Sequence, residues 1–188
     1  MERGIRKSFR ARLPWLGALL FLGLAVSGVS GFFEGVVDEL PMLVAFQPLV
    51  LGMAGNAGTQ SLALTIREIS ANAKPDHRAR LRIMMSETRI AFLEGMVLGA
   101  LSFAIVGIYL GAVGGYAADF ATTAAFCVGA SMAVSMTVSG FTGAAVPMLL
   151  CRLGADPAIA SGPLITTVND LAAVISYYTL AWVLILNI

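Results

Sequence analysis

Asp170 is the residue in this 188-residue chain best placed to do chemistry. It lies within an apolar run from Ala158 to Leu186, 13 residues after Pro157 and 16 before Leu186. At about 1.5 Å of rise per helical residue, that position is the middle of a segment long enough to cross a bilayer. An unpaired carboxylate at such depth costs about 2.5–3.5 kcal/mol even on the mild insertion scale, so an intramembrane acid is by default a site. Thr166 and Thr167 precede Asp170 by four and three positions and share its helical face, and Pro163 withholds a backbone donor one turn further back. A stripe of carboxylate, hydroxyls and loosened carbonyls can replace or hydrogen-bond part of an ion's water shell. Oxygen-only surroundings suit Mg²⁺ or Ca²⁺, and Mg²⁺ keeps several waters while using one or two carboxylates. No Lys or Arg in the same span neutralises Asp170.

A second polar interruption runs Gln47-Pro48-Leu49-Val50-Leu51-Gly52-Met53-Ala54-Gly55-Asn56-Ala57-Gly58-Thr59-Gln60-Ser61. Glycines and a proline this dense are expected to weaken the helical ladder, and freed carbonyls within a membrane must be satisfied by protein, water or an ion. Asn56 and Gln60 are one turn apart on one face, which makes this stretch a candidate pore lining. The competing reading is tight packing through glycine with Asn and Gln as interhelical glue. Soft metals are disfavoured, because the one histidine, His77, falls in a polar stretch and Cys127 and Cys151 are not spaced as a ligand pair. Met132 and Met136 stand one turn apart, a spacing that packing explains. Glu94 lies in apolar surroundings near the end of a span and is an accessory candidate, as is Glu34.

The elements that position these residues follow from composition. Hydrophobic residues make up 58% of the chain and charged ones 12%, with a mean hydropathy of +0.85, which no soluble domain of this size could bury. The sequence predicts an all-α integral membrane domain over 13–188, preceded by a basic segment 1–12. Charged residues and turn formers divide it into five spans at roughly 13–35, 41–65, 90–113, 119–150 and 158–186. The first run has no small-residue cleavage site and is expected to remain as a helix. The segment 67–89 reads as the one sizeable polar loop. With the N-terminus cytoplasmic, five crossings put every Lys and Arg inside: those before residue 13, those of the 67–89 segment, and Arg152. Glu34, Asp38, Glu39 and Asp119 fall outside, as does the C-terminus. This is the positive-inside pattern of an inner, plasma-type membrane. The basic loop therefore needs no nucleic-acid partner; lipid headgroups and topology account for it. Glycine pairs four apart, Gly31/Gly35, Gly95/Gly99 and Gly107/Gly111, are expected to pack helices.

One midplane Asp per chain is a sparse cage for a divalent ion, and a homodimer would bring two copies together across a twofold axis. An intramembrane aspartyl enzyme would also use paired carboxylates, but no second catalytic feature or substrate gate accompanies Asp170, so no enzyme is expected. A purely structural membrane subunit would leave the midplane carboxylate unexplained.

Pro48…Gly55-Asn56-Ala57-Gly58-Thr59-Gln60-Ser61, followed by Asp156-Pro157-Ala158…Ser161-Gly162-Pro163…Thr166-Thr167-Val168-Asn169-Asp170, resembles the transmembrane domain of the MgtE magnesium channels. The likeness extends from about Pro14 to the C-terminus and includes Phe32-Phe33-Glu34-Gly35. The chain is also similar to one half of the eukaryotic SLC41 carriers. The resemblance implies a homodimer with five helices per chain and a central pore lined by helices two and five, with Mg²⁺ as the permeating ion and no organic cofactor. It matches Asp170 to the midpore aspartate that holds a largely hydrated Mg²⁺, and Asp156 to an acid at the cytoplasmic mouth. Gly55, Asn56 and Gly162 would face the same path, with Gln60, Thr166, Thr167 and Asn169 as further lining. An ion-coupled exchanger using the same residues is the close alternative to a channel. The family's cytoplasmic N-terminal domain and paired CBS domains have no counterpart within these 188 residues.

Overall fold

The computed structural model of the chain describes residues 2–71, 76–154 and 157–186, and every regular element among them is helical. In chain order these are α1 (Glu2–Phe32), the short α2 (Glu34–Glu39) and α3 (Pro41–Val44), α4 (Gln47–Ala71), α5 (His77–Ile108), α6 (Ala118–Arg152) and α7 (Pro157–Ala181). A π-helical turn extends α5 over Tyr109–Val113, and another extends α7 over Trp182–Leu186. Helix is the arrangement that satisfies every backbone group within a single apolar segment. Three stretches, His77–Val113, Ala118–Arg152 and Leu164–Ile185, are long and apolar enough to cross a membrane, and Leu16–Phe32 is a shorter apolar stretch.

Local chemistry sets the boundaries, and several differ from those read in the sequence. The 67–89 segment is not a loop: Arg67–Ala71 complete α4 and His77–Arg89 open α5. Charge marks where a helix leaves hydrocarbon, whereas Arg and Glu are good helix formers, so the helix itself continues past that point. Asp76 caps α5, its Oδ1 accepting the Ala79 N–H at 2.7 Å. The basic N-terminal segment likewise belongs to α1, which runs on through Pro14. The second span begins at Gln47 rather than residue 41 and is unbroken to Ala71 despite its glycines. Pro48 sits in the first turn, where a missing N–H removes no intrahelical bond. The chain instead breaks between α3 and α4, where the Tyr177 hydroxyl donates to the Leu43 carbonyl at 2.8 Å and the Tyr178 hydroxyl to Gln47 Oε1 at 2.9 Å. Gly154, at φ +73°, ends α6 in the left-handed turn that glycine adopts without strain.

Contacts fix the helix directions. Gly95 and Gly99 of α5 meet Ala133 and Gly129 of α6, so these two are antiparallel. Thr142 of α6 bonds Asn169 of α7 and Ser135 bonds Ser176, again antiparallel. Gly58 of α4 lies against Asn169 while Gln47 reaches Tyr178, which makes α4 antiparallel to α7. Phe33, just past α1, stacks on Tyr178, and Gly23 lies beside the Thr166–Asp170 level, so α1 runs parallel to α7. The long helices thus alternate in direction along the chain. The basic ends of α4, α5 and α6 gather at one end of the bundle, and Glu34, Asp38, Glu39 and Asp119 at the other. α6 is the central element, packed against α4, α5 and α7, whereas α1 packs chiefly on α7.

Candidate functional site

Asp170 is half-buried on α7, near the middle of that helix and its π-helical extension. Its side chain opens on a cavity of about 500 Å³, lined by Thr166, Thr167 and Asp170 of α7 and by Leu19, Gly23 and Val26 of α1. The Thr166 hydroxyl donates to the Gly162 carbonyl at 3.1 Å, so that carbonyl is tied down, while the hydroxyl oxygen remains able to accept or to face an ion. Among the described residues no ion pair holds Asp170, and no three His, Cys, Asp or Glu side chains converge as a metal cage. What one chain offers is a single carboxylate with hydroxyl oxygens, facing a space large enough for an ion and its water.

The other residues singled out in the sequence are not gathered at this cavity. Asn56 and Gln60 share an exposed face of α4, but that face opens toward α5, where they line a groove of about 470 Å³ with Glu94. Glu94 is half-buried there, beside Leu93, Val97 and Leu98. Gly55 and Gly162 are half-buried and a Cβ on either would meet nothing within 4 Å, so neither is required by packing. Gly58 is the opposite case. Its missing side chain admits Asn169 and Ile165 of α7, while its carbonyl lies 2.5 Å from where a Cβ of Gly143 would stand. Asn169 is fully buried at that junction, its Oδ1 accepting the Thr142 hydroxyl at 3.0 Å. It joins helices within the chain, on a face of α7 about 100° round from Asp170. Glu34 is exposed at the first turn of α2. Phe33 next to it stacks on Tyr178, eight residues beyond Asp170, so Glu34 sits about 12 Å along the helix from the carboxylate. Asp156 lies outside the described residues.

Residues 47–180 match the family model for MgtE, described as a divalent cation transporter. The chain belongs to the MgtE family. It is 37% identical over 175 residues to the magnesium transporter MgtE of Enterococcus faecalis, covering 93% of this chain and 36% of that protein. To the magnesium transporters MgtE of Bacillus subtilis and Thermus thermophilus it is 35% and 33% identical, over 90% and 98% of this chain and 36% and 38% of theirs. The chain thus spans a little over a third of the length of these relatives.

Within this MgtE-family chain, one polar contact escaped the sequence reading. Glu87, read there as part of a loop, is half-buried on α5, and the Ser61 hydroxyl of α4 lies 2.8 Å from its Oε2 and 3.0 Å from the Gly140 carbonyl of α6. The three helices meet at this point because Gly140 leaves room for Ala91 and for the Glu87 backbone. A glutamate two residues before Arg89 carries no sequence signal that distinguishes it from a surface charge. Ser131, Ser135 and Ser139 are fully buried one turn apart on α6, and the Ser135 hydroxyl lies 3.0 Å from that of Ser176 on α7.

Proposed function

We propose that this chain carries a divalent cation, Mg²⁺ foremost, across a cell's inner membrane as a homodimer whose path passes Asp170. The observation that carries the reading is the half-buried Asp170, mid-helix and without an ion-pair partner among the described residues, facing a cavity of about 500 Å³. At an effective dielectric of about 20, a unit charge 4 Å away interacts by about 4 kcal/mol, and a divalent ion by twice that. A strongly hydrated ion can be held that way without shedding its inner water. The relatives' names as magnesium transporters support the same ion. A single carboxylate per chain supports a path shared by two copies.

Five crossings with the N-terminus inside fit the alternating helices. α1 and α4, with 31 and 25 residues, extend roughly 46 and 37 Å, beyond the ~30 Å hydrocarbon core. The basic ends share one side, as positive-inside topology requires. In spheroplasts, with Cys127 and Cys151 replaced, a cysteine at position 38 reacts with an impermeant thiol reagent and one at position 76 does not; the reverse labelling would overturn the orientation. Mg²⁺ flux into proteoliposomes by wild type and by Asp170→Asn, with dimer content checked by crosslinking, tests the site. Wild-type flux from a well-folded Asp170→Asn dimer, or from a demonstrated monomer, sinks the reading. The same assay with imposed Na⁺ or H⁺ gradients separates a channel from an exchanger, and Mn²⁺, Co²⁺ and Ca²⁺ as competitors set its selectivity.

A further inference from the structure

We propose that the outer side of the α5–α6 seam binds one anionic phospholipid, with an acyl chain in the trough between the two helices and the phosphate on Arg89 and Arg82 of α5. The seam is made by glycine: Gly99 and Gly129 bring the two backbones together, so no side chain fills the space beside them. Larger groups flank that space, Phe92, Met96 and Phe103 on α5 and Phe126 on α6, and the result is a cavity of about 680 Å³. Its walls are hydrocarbon, and the hydroxyl of Thr137 on them is satisfied by donating to the Ala133 carbonyl at 2.7 Å. Among the described residues, none of α4 or α7 lines it. Leu93, Glu94, Val97 and Leu98, which face the α4 side, project from roughly the opposite side of α5 at about 100° per residue. The trough therefore lies on the lipid side of the bundle, and it leaves a path shared by two copies along α4 and α7 untouched.

Depth and charge name the occupant. From Phe92 to Phe103 the trough follows 11 residues of helix, about 16 Å, which is half the ~30 Å hydrocarbon core and so the depth of one leaflet. Another 10 residues separate Phe103 from Val113 at the end of the span, so the trough occupies the half nearer the basic end. Arg89 stands three positions before Phe92, with Arg82 seven further back and Arg78 four beyond that, spacings that return to one helical face. All three are exposed. The acids within α5, Glu87 and Glu94, lie on the α4 side, Glu87 accepting the Ser61 hydroxyl. Positive-inside topology accounts for arginines at this end of the helix but not for three of them sharing the trough's face. A guanidinium meets a phosphate with two parallel N–H donors, and a phosphate held at Arg89 sets its own acyl chain at the mouth of the trough. A zwitterionic headgroup brings a cation beside its phosphate, whereas an anionic one does not, and clustered arginines favour the latter.

The test uses the full 188-residue chain with Trp15 and Trp182 replaced by phenylalanine and a single tryptophan introduced by Phe103→Trp. It is reconstituted in phosphatidylcholine vesicles containing phosphatidylglycerol, with bromine on the acyl chains of one lipid or of the other. Bromine quenches a tryptophan that it touches, so the two sets report which lipid sits in the trough. At Phe103→Trp, phosphatidylglycerol is expected to be preferred about tenfold over its bulk share. At Leu101→Trp, exposed on the far side of α5 at nearly the same depth, no preference is expected. Arg82→Gln/Arg89→Gln should bring the preference at Phe103→Trp to near one. Ala100→Phe, which fills the trough from an exposed position, should do the same with an unchanged melting temperature. Quenching in proportion to bulk composition at Phe103→Trp overturns the site, and so does a preference that survives both Arg82→Gln/Arg89→Gln and Ala100→Phe. Absence of quenching by either lipid puts protein in the trough and overturns it as well; a disulfide between copies through Phe92→Cys, with Cys127 and Cys151 replaced by serine, would identify that protein as a second copy. None of these outcomes depends on Asp170 being the ion site.

Discussion

The seam between α5 and α6 and the face that α7 turns toward α1 draw on similar small and apolar residues, yet they are built to opposite ends. Along the seam, Gly99 and Gly129 bring two backbones so close that either Cβ would stand 2.5 Å from the opposing carbonyl oxygen, and Gly95 sits against Ala133. Just beyond, Ser61 and Glu87 close the α4–α5–α6 junction with a 2.8 Å hydrogen bond. Across the molecule, α1 leans on α7 over a gap of about 500 Å³, a Cβ at Gly23 would meet nothing within 4 Å, and a carboxylate looks into the opening. In lipid, where apolar surface gives helices no reason to associate, close contact between small residues is what holds a bundle together. The seam therefore serves as the frame. The open face can carry a charge and a space because the frame does not depend on it.

Mutations that separate function from stability break or sharpen this contrast. The largest functional effect is expected from Asp170→Asn, which should lower Mg²⁺ flux by roughly tenfold or more while leaving the melting temperature within a degree or two, since a factor of ten needs a loss of only about 1.4 kcal/mol. Proteoliposome flux and a thermal melt on one preparation decide it; a large melting shift with intact flux per folded protein would place Asp170 in the frame.

Gly99→Val and Gly129→Val should do the reverse, each destabilising by about 1–3 kcal/mol through overpacking against backbone that cannot retreat. Reduced yield of folded protein with normal flux per folded protein is the expected signature. A stable, inactive Gly99→Val would mean that the seam moves during transport.

Ser61→Ala should destabilise by about 1 kcal/mol, within the range for interhelical hydrogen bonds in membranes. A double-mutant cycle with Glu87→Gln measures the pair directly, and additive effects would show that the 2.8 Å contact contributes nothing. Glu94→Gln should have the smallest effect, because Glu94 shares a groove with Asn56 and Gln60 rather than the Asp170 cavity. A loss of flux comparable with Asp170→Asn would move the path from α7 to the α4–α5 groove.

The helical class was legible before any coordinates. Long apolar runs with few charges gave it, because the bilayer imposes one rule on every segment, that backbone be satisfied internally and charge be kept at its edges. The same rule singled out Asp170 as a candidate, and the structure places it near the middle of α7 and its extension, as counting residues along the run suggests. Helix ends were less legible, since Arg67–Ala71 and His77–Arg89 are charged yet helical, and charge reports the edge of hydrocarbon rather than the end of a hydrogen-bonded ladder. The partition of the glycine-rich stretch could not be read either. Gly55 and Gly58 stand three apart in one motif, but the first faces open space and the second is the contact point of three helices. Asn169 and Asp170 are adjacent in the chain, yet a turn of 100° per residue sends one into the core against Thr142 and the other to the cavity beside α1. Sequence fixes spacing along a helix and so determined which residues could share a face. Which face meets which neighbour depends on how separate helices pack, and only the tertiary structure decided that.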